Sequence, residues 1–201
     1  GEGALREGAE AFVGALAQGH RRLARNLLVW GAALEGEDPA PFTAALAYYD
    51  RLDAEGRLDA YFEAARALPG HVLFTGYLEH DALCHLFPCC DVGVFPSVVK
   101  EASPLVVPEA AACGVFPIGT YTAGMRDSLD AMAPAVPEEA RAWMRLRPDP
   151  AHTVADLVKG ASAVLSAGLR PAETLRQVAV EQFDWHEIAA TMRAELTAMA
   201  G

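Results

Sequence analysis

Residues 90–120 read CDVGVFPSVVKEASPLVVPEAAACGVFPIGT, and this stretch decides the fold. It begins with the short apolar run Val92–Phe95, which a proline closes. Residues 105–113 are apolar and rich in alanine, and they end at Gly114, the residue type that helices favour just after their last turn. A second apolar run, residues 115–118, follows at once. The order predicts strand, helix and strand, which is the repeating unit of a parallel sheet.

The rest of the chain repeats this alternation. Apolar runs at residues 27–30 and 71–74 are typical of strands covered on both faces, and a fifth strand is predicted around residues 143–146. Pro117 weakens the prediction for residues 115–118, because a central strand loses a ladder hydrogen bond at proline. The sequence therefore predicts an α/β fold with a doubly wound parallel sheet, in a single domain over residues 1–201.

Helices are predicted between these strands and after them. Apolar spacing indicates helices over residues 4–16, 42–68 with an interruption near Gly56, and 81–87. Three more helices are expected at the C-terminal end, opened by Asp149-Pro150, by Pro171 and by Asp184. They form a helical C-terminal segment.

Composition and charge exclude several function classes. The 201 residues are 52% hydrophobic and 21% charged, which is typical of a globular protein. With a net charge of −11, the chain lacks the basic surface that binding to nucleic acid or to an anionic membrane requires. No apolar run approaches the roughly 18 residues of a membrane span, and the charged opening does not resemble a signal peptide. We therefore expect a cytoplasmic protein.

The four cysteines are interpreted as reduced, buried core residues. Cys84, Cys89 and Cys90 crowd into seven positions beside an apolar segment, and Cys113 follows later. Neither their spacing nor the nearby His85 matches the usual pattern of zinc ligands, so no metal site is predicted.

A ligand site is expected where parallel strands end. Ligands of open parallel sheets bind outside the carboxyl ends of the strands, here the loops after Phe74, Phe95 and Ile118. A helix start at this edge offers free N–H groups to an anion. Glu101 and Glu109 bracket the loop, and carboxylates accept well from paired sugar hydroxyls. The alternative is that Glu109 stabilises a helix start and Glu101 is a solvated charge.

Three ordered blocks carry a resemblance. FTGYLEHDAL at residues 74–83, CDVGVFPS at residues 90–97 and EASPLVVPEAAACG at residues 101–114 are similar to the donor-binding half of retaining GT-B glycosyltransferases. The family's two glutamates, with seven residues between them, match Glu101 and Glu109. GTYTAG at residues 119–124 and FDWHEIA at residues 183–189 resemble the family's small-residue turn and C-terminal Phe-x-Trp helix. The resemblance implies a Rossmann-like domain, the C-terminal half of a GT-B fold.

The resemblance also implies roles for single residues. Glu109 would hold the nucleotide ribose, and Glu101, the expected catalytic residue, would contact hydroxyls of the transferred sugar. Gly76 and Tyr77 match the loop that receives the base. The remaining donor-binding positions would be the backbone N–H groups of Ala102, Ser103 and Leu105 near the diphosphate or sugar, Ser97 beneath the pocket, and Thr120 and Gly124 on its far side.

Three departures from the family pattern, at Ser103-Pro104, Glu2 and Glu7, weigh against donor binding. Ser103-Pro104 stands where the family usually has Phe-Gly, and proline removes an N–H donor there. Aligning the first glycines places Glu2 and Glu7 where two cations would meet the diphosphate, with Arg6 or Lys100 as compensating cations. Elsewhere, the late arginines Arg141, Arg145 and Arg147 are interpreted as a solvated face.

The function implied is transfer of a hexose from a nucleoside diphosphate sugar to an acceptor hydroxyl, with retention of anomeric configuration. No metal cofactor is implied. The acceptor would bind an N-terminal domain that, like the first strand, is expected to precede Gly1, so the fragment alone should not turn over. One alternative is a catalytically degenerate domain that serves as a binding or assembly module. Another is a nucleotide-sugar epimerase, which the Phe-x-Trp helix and the glutamate spacing disfavour.

Overall fold

The computed structural model describes residues 8–31, 33 and 41–200. Its contacts divide the chain into two compact units, Gly1–Leu78 and Glu79–Gly201, which are taken separately below. The first unit contains the helices α1 (Gly8–Ala17), α2 (Arg21–Trp30), α3 (Thr43–Ala54) and α4 (Leu58–Ala65). The second contains α5 (His80–Leu86), β1 (Val92–Phe95), α6 (Val106–Ala112), β2 (Phe116–Thr120), α7 (Ala123–Met132), β3 (Arg145–Leu146), α8 (Pro150–Ala167), α9 (Ala172–Phe183) and α10 (Trp185–Ala200).

The first unit is helical where the sequence predicted a strand. Residues 27–30 form the last turn of α2, so the prediction of a strand there was wrong. The buried residues Ala24, Leu27 and Leu28 recur at helical spacing and pack into a core with residues of α1, α3 and α4. Leucine and arginine are good helix formers, and neither glycine nor proline interrupts residues 21–30.

The second strand predicted in this unit is also absent. Residues 72–79 have neither helical nor strand structure, and the Leu73 side chain is 83% exposed. A strand needs a neighbour that completes its hydrogen bonds, and a short apolar run does not provide one. The helical predictions hold better, because residues 43–65 form α3 and α4 with the interruption at Gly56, whose φ of +66° suits glycine.

The second unit is built on a three-stranded parallel sheet. The strands lie in the order β1, β2, β3, with Val92 opposite Phe116 and Gly119 opposite Arg145. β1 has the predicted bounds, whereas β2 begins one residue later and ends two residues later than predicted. This mostly helical α/β architecture with a parallel sheet confirms the predicted Rossmann-like class.

Pro117 lies in the central strand despite its missing N–H. It is fully buried and stands opposite Gly93 in the register of β1 and β2. A Cβ atom built on Gly93 would approach Phe95 Cζ to 2.8 Å, so a larger residue there would have to displace the Phe95 ring.

Helices complete the core of this unit. Phe116 and Ile118 of β2 pack with Leu129 of α7, Val164 of α8 and Leu175 of α9. The three C-terminal helices begin where predicted, and Asp149 caps α8 by accepting from Ala151 N at 2.9 Å. Among the described helices, none combines the length and apolarity that crossing a bilayer requires.

The thiols are free but not buried, which corrects the interpretation of all four as core residues. Cys84, Cys89 and Cys90 are exposed, and Cys113 is half-buried. The first three lie on or just after α5, and their Sγ atoms donate to backbone carbonyls three or four residues earlier. The segment is apolar in sequence, but its cysteines face outward.

Candidate functional site

The carboxyl ends of β1 and β2 meet at one edge of the sheet. Phe95 lies opposite Gly119, so the loop of residues 96–105 and the turn of residues 121–122 leave the sheet side by side. This is the edge at which parallel sheets bind ligands, and the loop contains Glu101. The structure thus brings together two of the segments that the sequence identified.

Direct backbone contact joins these two segments. The N–H of Gly124, in the first turn of α7, donates to the carbonyl of Glu101 at 2.9 Å. A Cβ atom on Gly124 would lie only 2.0 Å from Ala102 O, so no other residue fits without displacing the loop. The small-residue turn therefore has a physical explanation, since the loop that carries Glu101 rests against its glycine.

Pro104 also fixes the loop. It is buried, and its carbonyl accepts a long hydrogen bond from Ser128 Oγ at 3.5 Å. Ser103 and Leu105 on either side are exposed. Pro104 therefore anchors the entry to α6, at the cost of one N–H group beside the candidate site.

Glu109 lies on the outer side of α6. Val107, Ala110 and Ala111 face the core, whereas the Glu109 side chain is 37% exposed. Its Oε1 lies 3.9 Å from Nδ1 of His80 on α5. Glu101 is half-buried, and its backbone rather than its side chain makes the contact with Gly124. Both carboxylates remain available to a ligand.

A shallow groove of about 210 Å³ passes beside Glu109. One wall is the face of α6 that includes Leu105 and Glu109, and the other is the end of α9 with Asp184 and Trp185. Asp184 caps α10 by accepting from His186 N at 2.7 Å, and this bond lowers the pKa of its carboxyl. The FDWHEIA segment thus lies beside the second glutamate, a proximity that sequence spacing did not indicate.

The turn after β2 is held by residues that sequence reasoning missed. The Tyr121 hydroxyl donates to the Asp130 carboxylate at 2.9 Å, and Arg145 Nη2 donates to the same carboxylate at 2.8 Å. The Arg145 guanidinium also lies 4.5 Å from the Tyr121 ring centroid. Of the late arginines interpreted as a solvated face, Arg145 and Arg147 are exposed and Arg141 is half-buried. They also make polar contacts that the sequence did not indicate, since Arg147 pairs with Asp156 and Arg141 donates to Ala133 O.

The remaining predicted site residues are placed as follows. Thr120 is buried at the end of β2, and Ser97 is half-buried, with its Oγ donating to Val99 O at 3.2 Å. Gly76, with a φ of +69°, and Tyr77, 73% exposed, belong to the first unit. The predictions for Glu2, Arg6 and Glu7 lie outside the described residues.

Comparison with known proteins finds a family model that covers the candidate site. The family model described as glycosyl transferases group 1 matches residues 6–146, which is more than half of the chain. A 2-deoxystreptamine N-acetyl-D-glucosaminyltransferase of Streptomyces fradiae is 33% identical over 72 residues, which is 36% of this chain and 17% of that enzyme. No solved structure matches. Since its family model covers both strands and both loops of the candidate site, the chain belongs to the glycosyl transferases group 1 family.

Proposed function

We propose that the chain is the donor-binding half of a retaining glycosyltransferase that moves a hexose from a nucleoside diphosphate sugar to an acceptor hydroxyl. The observation that carries the proposal is the contact of the Glu101 loop with Gly124 at the carboxyl edge of β1 and β2. This contact holds a carboxylate-bearing loop against α7 at the edge where parallel sheets bind ligands. Family membership supports glycosyl transfer as the reaction.

Each carboxylate has a proposed role. Glu109 accepts hydrogen bonds from the nucleotide ribose, and Glu101 accepts them from hydroxyls of the transferred sugar. Backbone N–H groups of Ala102, Ser103 and Leu105 face the diphosphate or sugar. The base is assigned to the Gly76–Tyr77 loop, and Ser97 and Thr120 support the pocket from the strand ends.

In the proposed reaction, the acceptor oxygen forms a bond to the anomeric carbon as the bond from that carbon to the diphosphate oxygen breaks. The diphosphate leaves with the electron pair and takes up the proton of the acceptor hydroxyl. The protein contributes by positioning the two substrates and by stabilising charge on the leaving group. No metal ion is assigned a role. No residue of this chain is assigned to the acceptor.

A catalytically degenerate binding or assembly module is the second candidate. Pro104 favours it, because the proline removes a donor from the loop that would approach the diphosphate. Glu2 and Glu7 also favour it, because in the family alignment they place negative charges where two cations would meet the diphosphate. Such a module would bind a partner and no nucleotide sugar.

The cytoplasmic location and the single nucleotide-sugar domain remain predictions.

Calorimetric titration separates the two candidates. The folded chain is titrated with UDP, GDP and ADP and with their glucose and mannose conjugates. UDP-N-acetylglucosamine is added because the relative is an N-acetyl-D-glucosaminyltransferase by name. Saturable binding to one nucleotide is expected. Glu109→Ala should weaken it about 10- to 100-fold, the value of hydrogen bonds to a charged group.

Glu139→Ala is the matched control. Glu139 is an exposed glutamate of the same unit, in a short 3₁₀ segment that contributes nothing to the candidate site. Its removal should leave affinity unchanged. If the folded chain binds no nucleotide at millimolar concentration, the transferase proposal is wrong and the binding module remains. Analysis of the products of the intact protein distinguishes transfer from epimerisation and shows the anomeric configuration.

A further inference from the structure

The turn at the candidate site contains unfavourable backbone geometry. Ala123 has a φ of +46° and is the one non-glycine residue with positive φ in the part of the chain that the structure describes. The left-handed region is costly for an L side chain, and such a residue persists where the surrounding structure holds it. Ala123 begins α7 and directly precedes Gly124, the residue that contacts the Glu101 loop.

Three side chains hold this turn, and we call them the Tyr121 clamp: Tyr121, Asp130 and Arg145. The Tyr121 backbone N–H donates to Leu146 O at 2.8 Å, which ties the turn to β3. The Tyr121 hydroxyl donates to Asp130, two turns along α7, and Arg145 of β3 both pairs with Asp130 and stacks on the Tyr121 ring. The bond to Asp130 raises the pKa of the Tyr121 hydroxyl above its ordinary value. The phenol is neutral at pH 7 in either case and donates to the carboxylate.

A short stretch of backbone connects the clamp to Glu101. From Tyr121 the chain continues to Ala123 and Gly124, whose N–H donates to Glu101 O. Because a Cβ on Gly124 would lie 2.0 Å from Ala102 O, the α7 backbone and the loop are in immediate contact. A shift of the turn must therefore move the backbone from which the Glu101 side chain projects.

We propose that the Tyr121 clamp is a positioning device for the transferred sugar, acting on Glu101 through the turn that ends at Gly124. This inference rests on the proposed function, in which Glu101 contacts the sugar and Glu109 the ribose. The clamp residues touch no substrate themselves. Their contribution is to hold the Glu101 carboxylate in the orientation that the sugar hydroxyls require.

A purely structural role makes a different prediction. Were the clamp only an anchor for α7, its loss would lower stability without distinguishing one ligand from another. A positioning role lowers affinity for the nucleotide sugar and spares the free nucleotide, which lacks the sugar that Glu101 contacts. The decisive quantity is the ratio of the two dissociation constants.

Tyr121→Phe removes the hydroxyl and keeps the ring under Arg145. The wild-type chain and the variant are titrated calorimetrically with one nucleoside diphosphate and its sugar conjugate. We expect the Kd of the sugar conjugate to rise about fivefold and that of the free nucleotide to change less than about twofold, since indirect couplings of this kind amount to about 2- to 30-fold. Asp130→Ala should have the larger effect, and Asp130→Asn should restore part of it by accepting from Tyr121.

Two controls complete the test. Asp50→Asn weakens a comparable exposed pair between Arg25 and Asp50, which belong to the first unit, and should leave the ratio unchanged. In a Glu101→Gln background, Tyr121→Phe should add little, because the clamp acts through a carboxylate that is already gone.

The outcomes are distinct. If the wild type binds both ligands and the ratio of the two dissociation constants is unchanged in Tyr121→Phe and Asp130→Ala, the clamp proposal is overturned. The proposed function then stands. A full effect of Tyr121→Phe in the Glu101→Gln background also overturns it. Failure of the folded wild-type chain to bind any of the nucleotides overturns the proposed function and the clamp together.

Discussion

Gly124→Ala tests the contact on which the candidate site depends. The added methyl would lie 2.0 Å from Ala102 O, 2.4 Å from Ala102 C and 2.8 Å from Glu101 O. These are backbone atoms, so rotation of a side chain cannot relieve the clash. Either the Glu101 loop or the start of α7 must move, and the hydrogen bond from Gly124 N to Glu101 O is then lost.

The expected cost follows from three contributions. Overpacking costs about 1–3 kcal/mol, and the upper value applies because two backbone atoms lie far inside van der Waals contact distance of the new carbon. The lost hydrogen bond adds about 1 kcal/mol. The higher helix propensity of alanine relative to glycine offsets about 1 kcal/mol of this loss in the free energy of unfolding. The net loss in free energy of unfolding is therefore about 3 kcal/mol, which corresponds to a decrease in Tm of about 10 °C.

Urea unfolding followed by circular dichroism measures this loss, together with titration by the nucleotide sugar that the wild type binds. Ala123→Gly in the same turn is the control with the opposite sign. It relieves a left-handed alanine, worth about 1 kcal/mol, and should leave the protein equally or more stable. A Gly124→Ala variant with wild-type stability and wild-type affinity would refute the close contact between α7 and the Glu101 loop.

Two further predictions concern groups outside this turn. The pKa of Asp156 is lowered from 3.8 to about 2, chiefly by its hydrogen bond with Arg147, so its stabilisation is present above pH 4 and is lost as the pH falls towards 2. Asp156→Asn should cost about 1 kcal/mol in urea unfolding at pH 7, with the difference from wild type shrinking below pH 4; an equal difference at pH 2 would contradict this. Burial raises the pKa of the Cys113 thiol, with Cys84 as the next cause, so at pH 8 Cys113 should react with a disulfide reagent more slowly than the other three thiols. Cys113→Ser should abolish the slow phase in absorbance, and four equal rates would contradict the assignment.

Much of the second unit was predictable because its signals are local. The bounds of β1 follow from an apolar run closed by proline, and the end of α6 follows from Gly114, whose φ is +81°. The starts of α8 and α10 follow from aspartates that bind the backbone N–H groups of their first turns. In each case one or two residues set the boundary, whatever lies around them.

The apolar runs in the first unit show where local signals fail. Residues 27–30 and 71–74 look alike as four-residue hydrophobic stretches, yet the first ends a helix and the second has no regular structure. A run of four cannot distinguish helix from strand, because both bury such residues. The outcome depends on partners: α2 has the apolar faces of α1 and α3 to pack against.

For the site, the sequence by itself predicted which loops follow the strands and lie at the carboxyl edge of the sheet. The candidate residues on these segments, Glu101, Glu109 and the small-residue turn, came from residue order and from the family resemblance, and their roles remain predictions. Those features depend on residue type and order, which the chain carries directly.

Only the tertiary structure decided how these segments are held. The contact of Gly124 with the Glu101 backbone joins residues 23 positions apart, and Arg145 reaches Asp130 and Tyr121 from a different strand. No local propensity encodes such pairs, because they form only when the parallel strands β1, β2 and β3 align. Tertiary packing therefore holds in place a loop that the sequence could only locate. It does so through side chains whose contacts cannot be predicted from their positions in the sequence.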